Sequence, residues 1–278
     1  MLPREELIEQ AYFFRTLRER AAQAIPSQEV LSTIKEEILA TTKLPLALDF
    51  MAGELMMHGV FAPAMARLPH YFTPFQTFVM SQAEDERGRF DINVGLLILE
   101  REAEYRAGEP TRQGLFLYQF ESICRNRLKY DPGLLAVADD PAFDEPWRQW
   151  VLTVRRQVGL VDLGDLIYVR SQHYHKRRQR EGHADQPEGT VLFGEKEGRI
   201  ATATRGKDPL LLFAALHRQL GYPEVPKPAP VDDRRDVLPL LVRRLDRMEA
   251  RLKLVEEEAK GGIDIERFYG DPGRPPSS

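Results

Sequence analysis

Residues 4–25 read Arg-Glu-Glu-Leu-Ile-Glu-Gln-Ala-Tyr-Phe-Phe-Arg-Thr-Leu-Arg-Glu-Arg-Ala-Ala-Gln-Ala-Ile. Within them Leu7, Ala11, Phe14, Leu17, Ala21 and Ile25 recur at steps of three and four. That spacing lays apolar side chains along one face of an α-helix, whereas a strand would need alternation at a period of two. Pro26 ends the pattern, because it lacks an N–H and clashes with the turn before it.

The same reading carries outward along the chain. Ser27 caps a second helix with Val30, Ile34 and Ile38 on its apolar face. A third follows Pro45 with Leu48, Met51, Ala52, Leu55 and Met56. Thr73-Pro74-Phe75-Gln76 combines a capping hydroxyl, a proline at the first helical position and a glutamine at the third, which together start a helix. That helix is expected to run toward Ala107, with Glu84–Gly88 as the place where it bends or breaks. Asp131-Pro132, Asp140-Pro141 and Asp208-Pro209 repeat the cap-then-proline signal. Leu117, Phe120, Cys124 and Leu128 share one helical face, and Trp147, Trp150, Val151, Val154 and Val158 another. Leu163, Ile167 and Tyr174 mark a further helix, and Leu212, Phe213, Leu216 and Leu220 the next. Residues 190–204 alone read otherwise, with glycines at 194 and 198 between short apolar runs, as a small hairpin or an ordered loop.

The fold class is therefore all-α: an irregular multi-helix bundle over residues 1–222. Residues 223–230, Pro-Glu-Val-Pro-Lys-Pro-Ala-Pro, favour extended polyproline II and read as a semi-rigid linker. Residues 231–260 read as a coiled-coil helix. There Leu238, Leu241, Leu245, Met248, Leu252 and Val255 alternate at steps of three and four, the a/d pattern that drives self-association. With Leu238 at position a, Arg244 and Arg251 fall at g, and Glu249 and Glu256 at the following e positions. A parallel pairing brings these opposite charges together, and an antiparallel one opposes like charges. Residues 261–278 form a tail in which Ile263, Ile265, Phe268 and Tyr269 suit a docking peptide for a protein partner.

Composition excludes some classes of function. Hydrophobic residues make up 42% of the chain and charged residues 29%, and no apolar run approaches the length a membrane span needs. Cys124 is the lone cysteine, so no intrachain disulfide is expected and a cytoplasmic setting is the natural reading. The net charge of -4 gives no global attraction to nucleic acid or acidic membranes.

Motifs for chemistry are sparse. Glu54 and His58 stand four apart on one helical face, and with His70 and Glu84 they are the best available metal set. Packing or solvation of the histidines explains the same residues. Cys124 lies among apolar neighbours and reads as inert, and Glu100, Glu102 and Glu104 read as solvated charge. Arg205 and Lys207 precede a helix start at Asp208 that favours anions, although Asp208 as cap already takes its donors. Arg170, Lys176, Arg177, Arg178 and Arg180, with a tyrosine and two histidines among them, have the composition of a nucleic-acid contact; cations closing a helix end look the same. No motif calls for a cofactor. The expected function is a non-enzymatic homo-oligomeric scaffold. An enzyme with a site inside the helical domain and a nucleic-acid-associated protein are the rival readings.

Overall fold

The computed structural model describes residues 2–21, 23, 27–38, 41–85, 90–157, 159–181 and 189–227. Residues 228–278 lie outside these, and with them the expected heptads, the tail and the last three residues of the proline-rich run. The described residues are all-α. They form α1 Arg4–Ala21, α2 Ser27–Glu37, α3 Leu44–His58, α4 Ala62–Ala66, α5 Pro74–Ala83, α6 Ile92–Ala107, α7 Arg112–Arg125, α8 Tyr130–Ala138, α9 Glu145–Gln157, α10 Leu163–Val169, α11 Gln172–Arg180, α12 Glu195–Thr204 and α13 Pro209–Leu220. They include an isolated parallel bridge between Ser171 and Phe193.

Local chemistry accounts for most of the boundaries. The backbone N–H of Gln76 donates to the Thr73 hydroxyl at 3.2 Å, and the Gln76 side chain accepts from the Thr73 N–H at 3.1 Å, completing a reciprocal cap on α5. The expected run to Ala107 is broken, and both edges of the break have a cause. Glu84 turns its two carboxylate oxygens onto the N–H groups of Phe61 and Ala62, at 2.5 and 2.8 Å, and so caps α4. Asp91 then starts α6 by accepting from Asn93 and Val94. Gly59, at φ 73°, ends α3 in the left-handed conformation that glycine adopts without a Cβ penalty.

The long helices α1 and α6 pack against each other, and α2 lies on α3. The centre is α7, buried on every side from Gly114 to Ile123. Around Phe116 gather Phe120, Trp147 and Trp150, with ring centroids 5.6, 6.0 and 4.7 Å away. The two tryptophans also hold Phe193 at 5.3 and 5.0 Å. A second aromatic group, Phe13, Phe14, Tyr71 and Phe72, joins α1 to the α4–α5 connection. Met56, expected on the core face of α3, is exposed instead.

Other sequence expectations meet the structure with mixed outcomes. Residues 190–204 hold no hairpin: Leu192 and Phe193 are buried, and the rest is helix α12. Gly198 is a close-approach glycine, since a Cβ there would meet the Ser171 hydroxyl at 2.2 Å. The Thr202 and Thr204 hydroxyls bond back to carbonyls one turn earlier, so their strand-like alternation with Ile200 is incidental. Asp140 caps no helix, because it sits in a buried polar cluster described below. Residues 223–226, the first half of the run read as a semi-rigid linker, pack on the helical body. Val225 is 3% exposed, Arg101 donates to the Glu224 carbonyl, and Asn126 donates to the Pro226 carbonyl at 3.1 Å. Just before it, the Tyr222 hydroxyl donates to Glu121 at 2.7 Å. A chain ending at residue 222 is therefore expected to unfold in urea with about 2 kcal/mol less stability than one ending at residue 228, chiefly through the lost burial of Val225. Equal midpoints would show that residues 223–227 add nothing to the domain.

Candidate functional site

The four metal candidates do not converge. Glu54 holds Arg67 at 2.5 Å, with the His58 ring 3.8 Å from its other oxygen. Both oxygens of Glu84 serve as the α4 cap, and burial pushes its carboxyl up while those two N–H bonds pull it down. His70 lines a different feature, a cavity of about 620 Å³ between the start of α1 and the connections α4–α5 and α6–α7. Among the described residues no group of three or more histidine, cysteine or acidic side chains is arranged to hold a metal ion.

Behind that cavity lies the most concentrated polar chemistry in the body. Arg106 Nη2 donates to Glu102 at 2.9 Å and to Asp140. Gln119 Nε2 donates to the same two carboxylate oxygens at 2.8 and 2.9 Å. The other oxygen of Asp140 accepts from the Ala142 N–H at 3.0 Å. All four side chains are buried. Two carboxylates share two donors across α6, α7 and the α8–α9 connection, so the cluster ties three elements together. Glu100, Glu102 and Glu104 are thus not one solvated set: Glu102 is buried, Glu100 is buried under Arg15 and Arg18, and Glu104 alone faces solvent. The available sequence signal was the four-residue step from Glu102 to Arg106; nothing local points to Asp140 or Gln119.

Cys124 opens on an apolar groove of about 500 Å³ whose walls include Phe120, Tyr130, Leu163, Leu166 and Phe213. Burial pushes its thiol up to about 11, despite a hydrogen bond with Tyr130 that pulls the other way. A thiol held that high is a weak nucleophile. The rim of the groove is unusual for a water-facing surface: Leu160 is 83% exposed and Leu210 47%, with Val161 also exposed. Leu211, next along α13, is 53% exposed.

The basic stretch lies on α11 and faces α12. Arg170 and Arg178 are partly exposed, and Lys176, Arg177 and Arg180 are exposed. Lys176 pairs with Glu195, which also takes Arg199, and Arg177 pairs with Glu181 at 2.8 Å. At the helix start beside Arg205 and Lys207, the chain supplies its own partners. Arg205 pairs with Asp165, and Asp208 caps α13 by accepting from the Leu210 N–H at 2.8 Å. Asp162 binds both the Gly164 and Gly206 N–H groups, at 2.8 and 2.9 Å. His175 is held below its ordinary range by burial and by the neighbouring charges of Arg170 and Arg178.

Among the described residues no helix is long and apolar enough to cross a membrane. Compared with protein-family models, with curated proteins and with solved structures, the chain matches none of them.

Proposed function

We propose that the chain is a non-catalytic interaction protein, presenting its helical body in several copies through residues 231–260 and engaging a protein partner at the Cys124 groove. The observation that supports this most directly is the exposed apolar rim at residues 160, 161 and 210 around an apolar hollow. Large apolar side chains in a contiguous exposed patch mark contact surfaces. The Glu102–Arg106–Gln119–Asp140 cluster is engaged in holding helices together. Residues 263–269 carry the apolar content of a docking peptide and suit the same reading.

Multiplicity rests on the heptads. Light scattering of the full chain at tens of micromolar is expected to give an oligomer, and Leu245→Lys, which sets a charge on the apolar seam, a smaller species. A full-length protein that is monomeric at that concentration removes the multivalent reading.

A further inference from the structure

The α11–α12 surface concentrates positive charge in a chain that is acidic overall. Residues 163–181 and 189–207 carry nine arginines and lysines against four carboxylates, while the whole chain is at -4. Lys176, Arg177, Arg199 and Arg205 have carboxylate partners. Among the described residues Arg170, Arg178, Arg180, Lys196 and Lys207 have none.

Two hollows lie in this surface and share Arg177. The larger, about 350 Å³, is lined by Tyr168, Tyr174, Arg177, Arg178 and Glu181. The smaller, about 180 Å³, is lined by His173, Lys176, Arg177, Arg180, Glu195 and Arg199. The tyrosines of the larger hollow belong to a continuous ladder. The Arg205 guanidinium lies 5.4 Å from the Tyr168 ring centre, Tyr168 meets Tyr174 edge-on at 5.2 Å, and Arg178 lies 5.8 Å from the Tyr174 ring. Stacked and T-shaped partners hold such rings in place without covering them fully. Tyr174 stays partly exposed.

We propose that this surface binds single-stranded nucleic acid, with a base entering the Tyr168–Tyr174 hollow and the adjoining phosphates lying over Lys176, Arg177, Arg180 and Arg199. The division of labour follows from the charges. In the larger hollow Glu181, already paired with Arg177, disfavours a phosphate, and the partly exposed Tyr174 ring, with the buried Tyr168 behind it, offers a face on which any base can stack. The smaller hollow has four cations, Lys176 and Arg199 sharing the one carboxylate of Glu195 and Arg177 paired with Glu181, so a net positive charge remains that suits the backbone. A duplex keeps its bases stacked and paired, so it offers the phosphates without anything to enter the tyrosine hollow. The inference stands apart from the leucine groove and the oligomer, which lie on other residues.

The test is fluorescence anisotropy of the full chain with a labelled oligo-uridylate of about 12 nucleotides, within the span that aromatic and basic grooves cover. Binding should weaken with salt at a logarithmic slope of roughly -3, from four phosphates at about -0.7 each. Arg177→Glu with Arg180→Glu should lower affinity at least about tenfold while leaving the melting temperature unchanged, since both side chains are exposed. Tyr174→Ala should lower it about tenfold by loss of stacking, and Tyr174→Phe, which keeps the ring and the fold, should retain it. No binding at low salt would overturn the proposal. So would equal affinity for a duplex of the same length, or a Tyr174→Ala protein that is folded and binds undiminished.

Discussion

Arg106→Ala is expected to destabilise the protein by about 3–5 kcal/mol, because it leaves Glu102 and Asp140 buried together with their cation gone. Within the cluster Arg106 is the sole positive charge, and Gln119 supplies only neutral donors to the two oxygens that remain. Urea unfolding followed by circular dichroism gives the measurement. Adding Glu102→Gln to Arg106→Ala should recover part of the loss, since one of the two stranded charges is then neutral. A loss below about 1 kcal/mol would place the cluster with exposed ion pairs, whose removal costs little, and would mean that water reaches it.

Phe193→Ala should cost a similar amount, about 3–5 kcal/mol, as expected when a buried aromatic ring is removed and its cavity persists. Its ring lies against both Trp147 and Trp150, and its backbone is tied to the turn before α11: Gln172 donates to the Phe193 carbonyl at 3.0 Å, and Phe193 donates to the Arg170 carbonyl at 3.1 Å. The same residue therefore links the aromatic core to the basic surface. The near-ultraviolet dichroism of the two tryptophans should fall with the stability. A change under about 1.5 kcal/mol, the size of a volume-conserving swap, would show that residues 189–193 are peripheral and that α11 is held by its contacts with α12 alone.

Both expectations concern residues that looked ordinary in the sequence, whereas the helices themselves were legible there. The Leu7–Leu17 stripe, the Thr73–Gln76 reciprocal cap and the Asp208-Pro209 start are near-neighbour patterns, since a helix repeats within four residues and a cap acts within three. Each is found where it was read, in α1, α5 and α13. Similar patterns misled where a distant partner competed for the same atoms. Glu84 was read as a metal ligand and closes the end of α4 from another helix. Asp140 was read as a cap and accepts from Arg106, 34 positions away. Residues 190–204 were read as a hairpin or ordered loop because short apolar runs flank the glycines at 194 and 198. Gly198 stands there because Ser171 comes too close for a side chain.

The sequence by itself determined that the described residues are helical, where much of their apolar faces lies and where several helices begin, because those are properties of a few consecutive residues. Only the tertiary structure decided that α7 is the buried centre, that Glu102, Arg106, Gln119 and Asp140 form one cluster, and that Tyr168, Tyr174 and Arg205 line up beside α11. Such placements depend on which distant faces meet. Burial follows from the whole packing arrangement, so a helix with Gln119 and Glu121 on it reads as half-exposed until partners from other elements take up its polar atoms.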